Sequence, residues 1–329
     1  MKKLFSVLLR LTLGLTMLVM AHMAIAGVQD KFDLPEPYLG WEKSYLNEFP
    51  DLQKFLDVMI TTTATQLQYP SEDILHNRVC SALAYQMSKE LPPEKRKLAI
   101  ATDILHNIAK EEKAAVLTDP QVFKKATEMV TGLRKAGYFR SSPEFWGDAQ
   151  VLLNTKVGAN RALIHHITGA LTAGQIAKQI GGFPEKEIQE MQAAVIEHST
   201  GYWYFRDSVD QAVNKKDAWR TVYPEPASEI SKIAHDADLI SQFVPESVVP
   251  DGSKWRSLAK KRWGAKTTQE EGHIVYYVFF RLYEEAKTIK GKEMAREKWE
   301  KIRPELLKLT NLEPNQDPIK VLGVPAVFQ

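Results

Sequence analysis

Apolar side chains recur at intervals of three or four residues through most of this chain, and that spacing restricts its fold to packed helices. Because an α-helix has 3.6 residues per turn, residues at this interval lie on one helix face and can be buried together. The sequence shows neither the alternation typical of strands nor an internal repeat. We therefore predict an all-α fold, with helical stripes over residues 74–87, 94–113, 162–180, 188–198 and 230–238.

The first 26 residues predict a secretory signal peptide. Lys2 and Lys3 precede an apolar stretch, and small residues two apart, Ala24 and Ala26, come before Gly27. The alternative is an uncleaved anchor, but a spanning helix needs about 20 apolar residues, and Arg10 interrupts this stretch. We expect cleavage after Ala26, so that the mature protein is soluble, periplasmic or secreted, and free of the membrane.

Charge and cysteine content exclude two classes of protein. Without Lys2, Lys3 and Arg10, the 43 basic residues fall to 40 against 41 acidic residues, so the mature chain has no basic surplus for general nucleic-acid binding. The single cysteine, Cys80, excludes an internal disulfide. About 300 residues are enough to bury a sizeable core by packing alone.

Proline and glycine positions divide the chain after the signal peptide. We predict an N-terminal extension over 27–69, a helical domain over 70–245, and a C-terminal extension over 246–329 that packs on the same domain. In the last part, residues 266–309 predict two helices, and the proline-dotted tail from Asn311 predicts irregular structure.

Two loop-rich insertions interrupt the helical domain, over 118–143 around a short helix and over 201–226. Both contain aromatic residues beside proline and glycine. Such loops either form the lid or wall of a ligand pocket or cover the core, and the sequence leaves both readings open.

Four histidines and one acid are spread over these helices: His76, His106, His165, His198 and Asp238. Each falls on the apolar side of its stripe, where an ionisable group is costly unless it is paired or binds a metal. A lone histidine there is more often a hydrogen-bonded core residue. However, six of the eight histidines lie between residues 76 and 235. We therefore predict that they bind one or two divalent cations.

Several short motifs surround these residues. His106 stands in Leu-His-Asn-x-x-Lys, His165 stands four residues before Gly169, and Asp238 ends Asp-Ala-Asp. In this order, and over roughly residues 70–309 outside the insertions, they resemble the HD-domain superfamily of metal-dependent phosphohydrolases. The resemblance implies an HD-like helical bundle, here with loop insertions and additional C-terminal helices.

The resemblance also implies a division of the ligands. His76, His106 and Asp238 would hold a first cation, and His165 and His198 a second, with residue 107 bridging the two. Paired ions of this kind activate water and orient a phosphate ester. The ligand types do not distinguish manganese, iron, magnesium, nickel and zinc.

The expected catalytic positions are Lys110 and Asn107. Lys110 would meet phosphate charge, although it could also be a solvated lysine. Asn107 departs from the family pattern, because an Asp would bridge the cations at that position. An amide is neutral, so Asp238 alone would balance two divalent ions, and we expect the pair to be weakened or reduced to one ion. Asp103, one turn earlier, could supply a substitute carboxylate.

Three functions follow. The first is an exported phosphohydrolase that acts on a small phosphate ester or nucleotide, with activity altered by Asn107. The second is an inactive HD-fold module that binds a ligand or partner through hydrogen-bonded, metal-free histidines. The third is an oxygenase with paired iron, as in some HD relatives. Asn107 disfavours this function at least as strongly, because paired iron also needs the bridging carboxylate.

Other polar residues near the motifs receive structural predictions. His166 could replace its neighbour as a ligand, but the spacing to Gly169 favours His165. Asp236 lies on another side of its helix and is predicted to orient a neighbour. Cys80, one turn after His76, could supply a thiolate, but a buried thiol is favoured. His235 and His273 are predicted to be structural or on the surface.

Overall fold

The computed structural model describes residues 33–66, 70–110, 119–138, 165–199, 224–313 and 315–329. Within these ranges every regular element is a helix and there is no strand, which confirms the all-α prediction. The signal peptide and the aromatic segment around residues 201–223 lie outside the described residues. No helix in the described part is long and apolar enough to cross a membrane.

The described residues form thirteen α-helices and one short 3-10 helix at Ala326–Phe328. In chain order the α-helices are α1 Tyr38–Glu48, α2 Leu52–Gln66, α3 Pro70–Met87, α4 Pro93–Leu105, α5 Pro120–Lys135, α6 His165–Ile180, α7 Glu185–Glu197, α8 Glu229–Ser241, α9 Pro245–Val248, α10 Lys254–Lys261, α11 Thr268–Glu285, α12 Ile289–Leu309 and α13 Pro318–Leu322.

Helices α3, α4, α7 and α8 form the centre of the bundle. Helix α3 packs against α1, α2, α4 and α8, and α7 packs against α4, α6 and α8. Completely buried apolar side chains fill the space between them, such as Leu83 of α3, Ile104 of α4, Val195 of α7 and Leu239 of α8. Their burial is the main stabilising contribution, and it fixes where the polar residues of the same helices can point.

Side-chain caps fix the starts of several helices. Ser228 accepts a hydrogen bond from Ser231 N at the start of α8, and Thr288 accepts one from Gly291 N at the start of α12. Asp119 and Thr267 do the same for α5 and α11. Each cap satisfies an N–H group that has no partner inside the helix.

The prediction of a helix over residues 94–113 is wrong over residues 106–110, and residues 111–113 lie outside the described residues. Helix α4 stops at Leu105, and a turn follows in which Ile108 N donates to Leu105 O and Lys110 N to Asn107 O. These bonds span three residues rather than four, so the chain tightens and leaves the helix axis. His106 and Asn107 therefore lie on a turn at the buried end of α4.

The C-terminal part contains the two helices predicted over residues 266–309, α11 and α12, which pack against each other. Helix α12 also packs on α8. The tail is not wholly irregular as predicted, since α13 forms after Asp317, whose side chain accepts from Ile319 N. His273 Nε2 also contacts Gly323 O at 2.8 Å, which ties the tail to α11.

Candidate metal centre

Five different helices position the five predicted ligands. His76 lies within α3, His106 follows α4, His165 begins α6, His198 follows α7, and Asp238 lies within α8. The structure brings all five together in the centre of the bundle. His76 Nε2 is 3.2 Å from His106 Nε2 and 3.1 Å from Asp238 Oδ1. His165 Nε2 is 3.3 Å from His198 Nε2, and the rings of His106 and His198 are 4.8 Å apart.

Backbone carbonyls set the orientation of two of these rings. His106 Nδ1 is 2.7 Å from Asp103 O, and His198 Nδ1 is 2.6 Å from Val195 O. A carbonyl oxygen can only accept, so each Nδ1 carries the hydrogen, and each Nε2 presents a lone pair to the cluster. Outer hydrogen bonds of this type orient histidine ligands in metal sites.

Ser241 sets the orientation of His76 in the same way. The Ser241 hydroxyl donates to Asp238 O at 2.7 Å, so it accepts from His76 Nδ1 at 3.2 Å. The Nε2 lone pair of His76 therefore also faces inward. His165 differs, because its Nδ1 has no hydrogen-bond partner within the ranges described, so its tautomer is not fixed in this way.

The inward lone pairs are spaced as ligands of a shared cation would be. Lone pairs that face each other at 3.2 Å, as on His76 and His106, repel unless a proton or a cation lies between them. Two nitrogens bound tetrahedrally to one ion at 2.0–2.1 Å lie about 3.3 Å apart. The spacing of 3.3 Å between His165 and His198 also agrees with that value. The donor set therefore fits divalent metal.

Burial keeps the imidazoles in the state that binds metal. It is the largest cause that lowers the pKa of His76, His106 and His165, and it lowers the pKa of His198 to about 4. Burial alone raises the pKa of Asp238, but its contact with His76, followed by the nearby His198 and His106, outweighs burial and holds that pKa below its usual range. Neutral imidazoles and an ionised carboxylate are the ligand forms that a cation requires.

Cys80 is fully buried in the core, as expected of a buried thiol, and it also belongs to the same cluster. Its Sγ is 3.7 Å from His76 Nε2, and the candidate ligand atoms of His76, Cys80, His106 and Asp238 all lie within 4.8 Å of one another. Burial, followed by the charges of Asp238 and Asp103, raises the pKa of the thiol. The four-residue spacing to His76 was the sequence signal for this contact.

Asn107 lies against the cluster but does not act as a bridging carboxylate would. Its Nδ2 donates to His106 Nε2 at 2.7 Å, on the same lone pair that faces the other ligands. Its Oδ1 is buried and has no hydrogen-bond partner in the described part of the chain. The amide thus competes with a cation for His106 and brings no negative charge.

Asp103 is a second buried carboxylate beside the cluster. Its side chain is fully buried, and neither oxygen has a hydrogen-bond partner among the described residues. Burial, and then the charge of Asp238, raise the pKa of this group. Without a cation this carboxyl group therefore favours its neutral form, and a cation close to it would favour the ionised form.

Lys110 and His166 also have defined positions. Lys110 is half-buried at the end of the turn after Asn107, and its charge is the largest cause after burial that lowers the pKa of His165. Its positive charge is therefore close to the cluster. The ring of His166 is buried 5.9 Å from that of His165, and it is His165 that contacts His198.

Asp236 joins two helices, and its carboxylate is also contacted by His235 of its own helix. Asp236 accepts from Lys287 N and Thr288 N at 2.8 and 2.7 Å, and from the Thr288 hydroxyl at 2.8 Å. His235 Nδ1 lies 3.1 Å from the same carboxylate. Asp236 thus joins α8 to the start of α12, whereas Asp238, two residues later, faces the metal ligands.

Comparisons with family models, with curated proteins and with solved structures found no match for this chain.

Proposed function

We propose that this protein is an exported, metal-dependent phosphohydrolase with an HD-like arrangement of ligands, which acts on small phosphate esters or nucleotides. The observation that supports this most strongly is the convergence of His76, His106 and His198, each with Nδ1 committed to an outer acceptor and Nε2 turned inward. These inward Nε2 atoms are the ligand atoms that a shared cation needs, and that of His106 also accepts from Asn107 Nδ2.

In this proposal His76, His106 and Asp238, with Cys80, hold one ion, and His165 and His198 hold another. Divalent ions at these positions would supply Lewis acidity and an activated water. Lys110 balances the charge of the phosphate. Substrate reaches the cluster past His76 and Asp238, whose side chains are 16% and 13% exposed, whereas His106 and His198 are essentially buried.

The second candidate is an inactive module with the same helical bundle. The hydrogen bond from Asn107 Nδ2 to His106 Nε2 favours it, because that bond uses the lone pair that a cation needs. In this case the cluster would stay metal-free, and the histidines would only stabilise the fold.

Metal analysis and phosphatase assays distinguish the two candidates. The full chain would be purified, stripped, and reloaded in turn with manganese, iron, magnesium, nickel and zinc. We expect one or two ions per chain, turnover of p-nitrophenyl phosphate, faster turnover in Asn107→Asp, and none in His106→Ala. His273→Gln, on the remote contact to Gly323, is the matched control and should equal wild type. If wild type and Asn107→Asp are both metal-free and inactive, the inactive module is the candidate function that remains.

Export is tested separately. If residues 1–26 are a signal peptide, the protein recovered from expression in a bacterial host will lie outside the cytoplasm and begin at Gly27. Recovery of the intact N-terminus from the membrane fraction would instead support the uncleaved anchor.

A further inference from the structure

A groove with a volume of about 1050 Å³ lies beside the candidate metal centre. One wall is a face of α3 that carries Leu75, His76 and Val79, and the opposite wall is a face of α10 that carries Lys254, Leu258 and Lys261. Leu75 and His76 lie four and three residues before Val79, and Lys254, Leu258 and Lys261 are four and three apart, so each set lies on one side of its helix. His76 belongs both to this groove and to the metal cluster, and the groove therefore leads to the cluster.

The groove combines an apolar lining with positive charge. Leu75, Val79, Leu258 and Val244 supply apolar surface, and Val244 is one of the few large apolar residues that are exposed among those described, at 39%. An exposed apolar surface inside a concave site is typical of ligand pockets.

Three lysines supply the positive charge. Lys254 and Lys261 are exposed at the two ends of the α10 face, and Lys298 contributes from α12, where its Nζ lies 2.6 Å from Tyr38 OH. The acids on the lining are Glu72 and Glu246, so the described lining is net positive. Lys254 and His76 both line the groove, so a ligand in it can meet the lysine and the edge of the metal cluster together.

We infer that the groove binds a soluble phosphate ester with an apolar body, with its phosphate held between Lys254 and the metal cluster and its apolar part against Leu75, Val79 and Leu258. This inference rests on the proposed function and narrows its substrate class to amphiphilic phosphate esters. A free phosphate or a compact polar ester would leave the apolar wall uncovered. A long apolar chain alone would leave the lysines unpaired.

The test is calorimetric binding of two inert probes, methylphosphonate and monomeric octylphosphonate, to the full chain with and without metal. We expect octylphosphonate to bind at least about tenfold tighter than methylphosphonate, because its chain buries apolar surface. Lys254→Gln with Lys261→Gln should weaken it roughly threefold to thirtyfold. Lys260→Gln is the matched control, since Lys260 lies on the same helix but pairs with Asp251 and Glu271 away from the groove.

A second variant tests the apolar wall without removing a lysine. Val244→Asp should fold, since the site is exposed, and should weaken octylphosphonate binding while it changes methylphosphonate binding less. Equal affinity for both probes, or an equal effect of Lys260→Gln and the groove variants, would overturn the inference. So would binding confined to vesicles that contain phosphatidic acid.

The outcome is separable from that of the proposed function. Octylphosphonate binding to the metal-free chain, sensitive to Lys254 and Lys261, would support the groove even if no ion bound. Conversely, the groove could fail while metal content and turnover of p-nitrophenyl phosphate stayed intact, which would leave the metal centre in place without this substrate preference.

Discussion

Gly169 of α6 passes so close to the end of α4 that a Cβ at that position would lie 2.9 Å from the backbone oxygen of His106 and 3.4 Å from Val195 Cγ1. Only a residue without a side chain fits this gap. The close approach lets His165, one turn earlier on α6, reach His198. The spacing between His165 and Gly169 thus has a packing reason that does not depend on metal.

Gly169→Ala should therefore lower the free energy of unfolding of the metal-free protein by about 1–3 kcal/mol, because the backbone of His106 cannot move aside cheaply. Gly132→Ala in α5 is the matched control. A Cβ there meets nothing within 4 Å, so this change should stabilise the protein by about 0.5–1 kcal/mol through helix propensity. Urea unfolding measures both. Equal effects at the two glycines would show that the close approach is absent.

Cys80 should act as a ligand once metal is bound. A soft thiolate favours zinc over magnesium, so Cys80→Ser should weaken zinc binding by roughly tenfold or more and affect magnesium much less. With cobalt as a spectroscopic substitute, wild type should show a sulfur-to-metal charge-transfer band that the serine variant lacks. A band of the same intensity in Cys80→Ser, or none in cobalt-loaded wild type, would exclude the thiolate.

Asp103 should compensate for the charge that Asn107 does not supply. If it does, Asp103→Asn will weaken metal binding in wild type by roughly tenfold, but will have little effect in an Asn107→Asp background, where a carboxylate is already present. Titration of zinc into the four proteins of this double-mutant cycle measures the coupling. Equal losses in both backgrounds would mean that Asp103 acts independently of residue 107.

The helices, and the convergence of the four histidines with Asp238, could be predicted because both depend on local periodicity; the role of these residues as metal ligands stays a prediction. The stripe from Ile230 to Asp238, for example, lies wholly within α8, which spans Glu229–Ser241. The end of α4 could not be predicted, because nothing in residues 106–113 breaks a helix. Helix α4 ends at Leu105, where the turn at His106 is packed under Gly169.

Contacts between segments that are far apart in the chain could not be predicted from the sequence either. Cys80 was correctly placed near His76 by spacing, but its distance to Asp238 depends on the packing of α8 on α3. The groove was missed altogether, since its walls come from α3 and α10, which are separated by more than 150 residues. Neither helix, taken alone, indicates a groove.

His198 should control the second ion only. Its Nε2 contacts His165 Nε2, and among the described residues the group of candidate ligands that lie within 4.8 Å of one another consists of His76, Cys80, His106 and Asp238. His198→Gln should therefore reduce two bound ions to one, or leave a single ion in place if wild type holds only one. Metal content by mass spectrometry tests this, with His273→Gln as the control. Complete loss of metal in His198→Gln would show that both histidine pairs serve one ion.

The two acids of α8 should have opposite effects on stability and metal content. Asp236→Asn replaces a carboxylate that accepts three hydrogen bonds from Lys287 and Thr288. In the variant, the amide NH₂ group would face some of these donors and could not accept from them. We expect a loss of about 2–3 kcal/mol in unfolding free energy, with metal stoichiometry retained in the folded protein.

Asp238→Asn should instead abolish or sharply weaken metal binding, because it removes the carboxylate oxygen 3.1 Å from His76 Nε2. Its effect on the stability of the metal-free protein should be smaller than that of Asp236→Asn. Removal of the acid also relieves the repulsion between the Asp238 carboxylate and the Nε2 lone pair of His76 that faces it. Thermal unfolding in the presence of a chelator, with parallel metal analysis, measures both quantities. If Asp236→Asn lost metal while Asp238→Asn kept it, the assignment of the two carboxylates would be reversed.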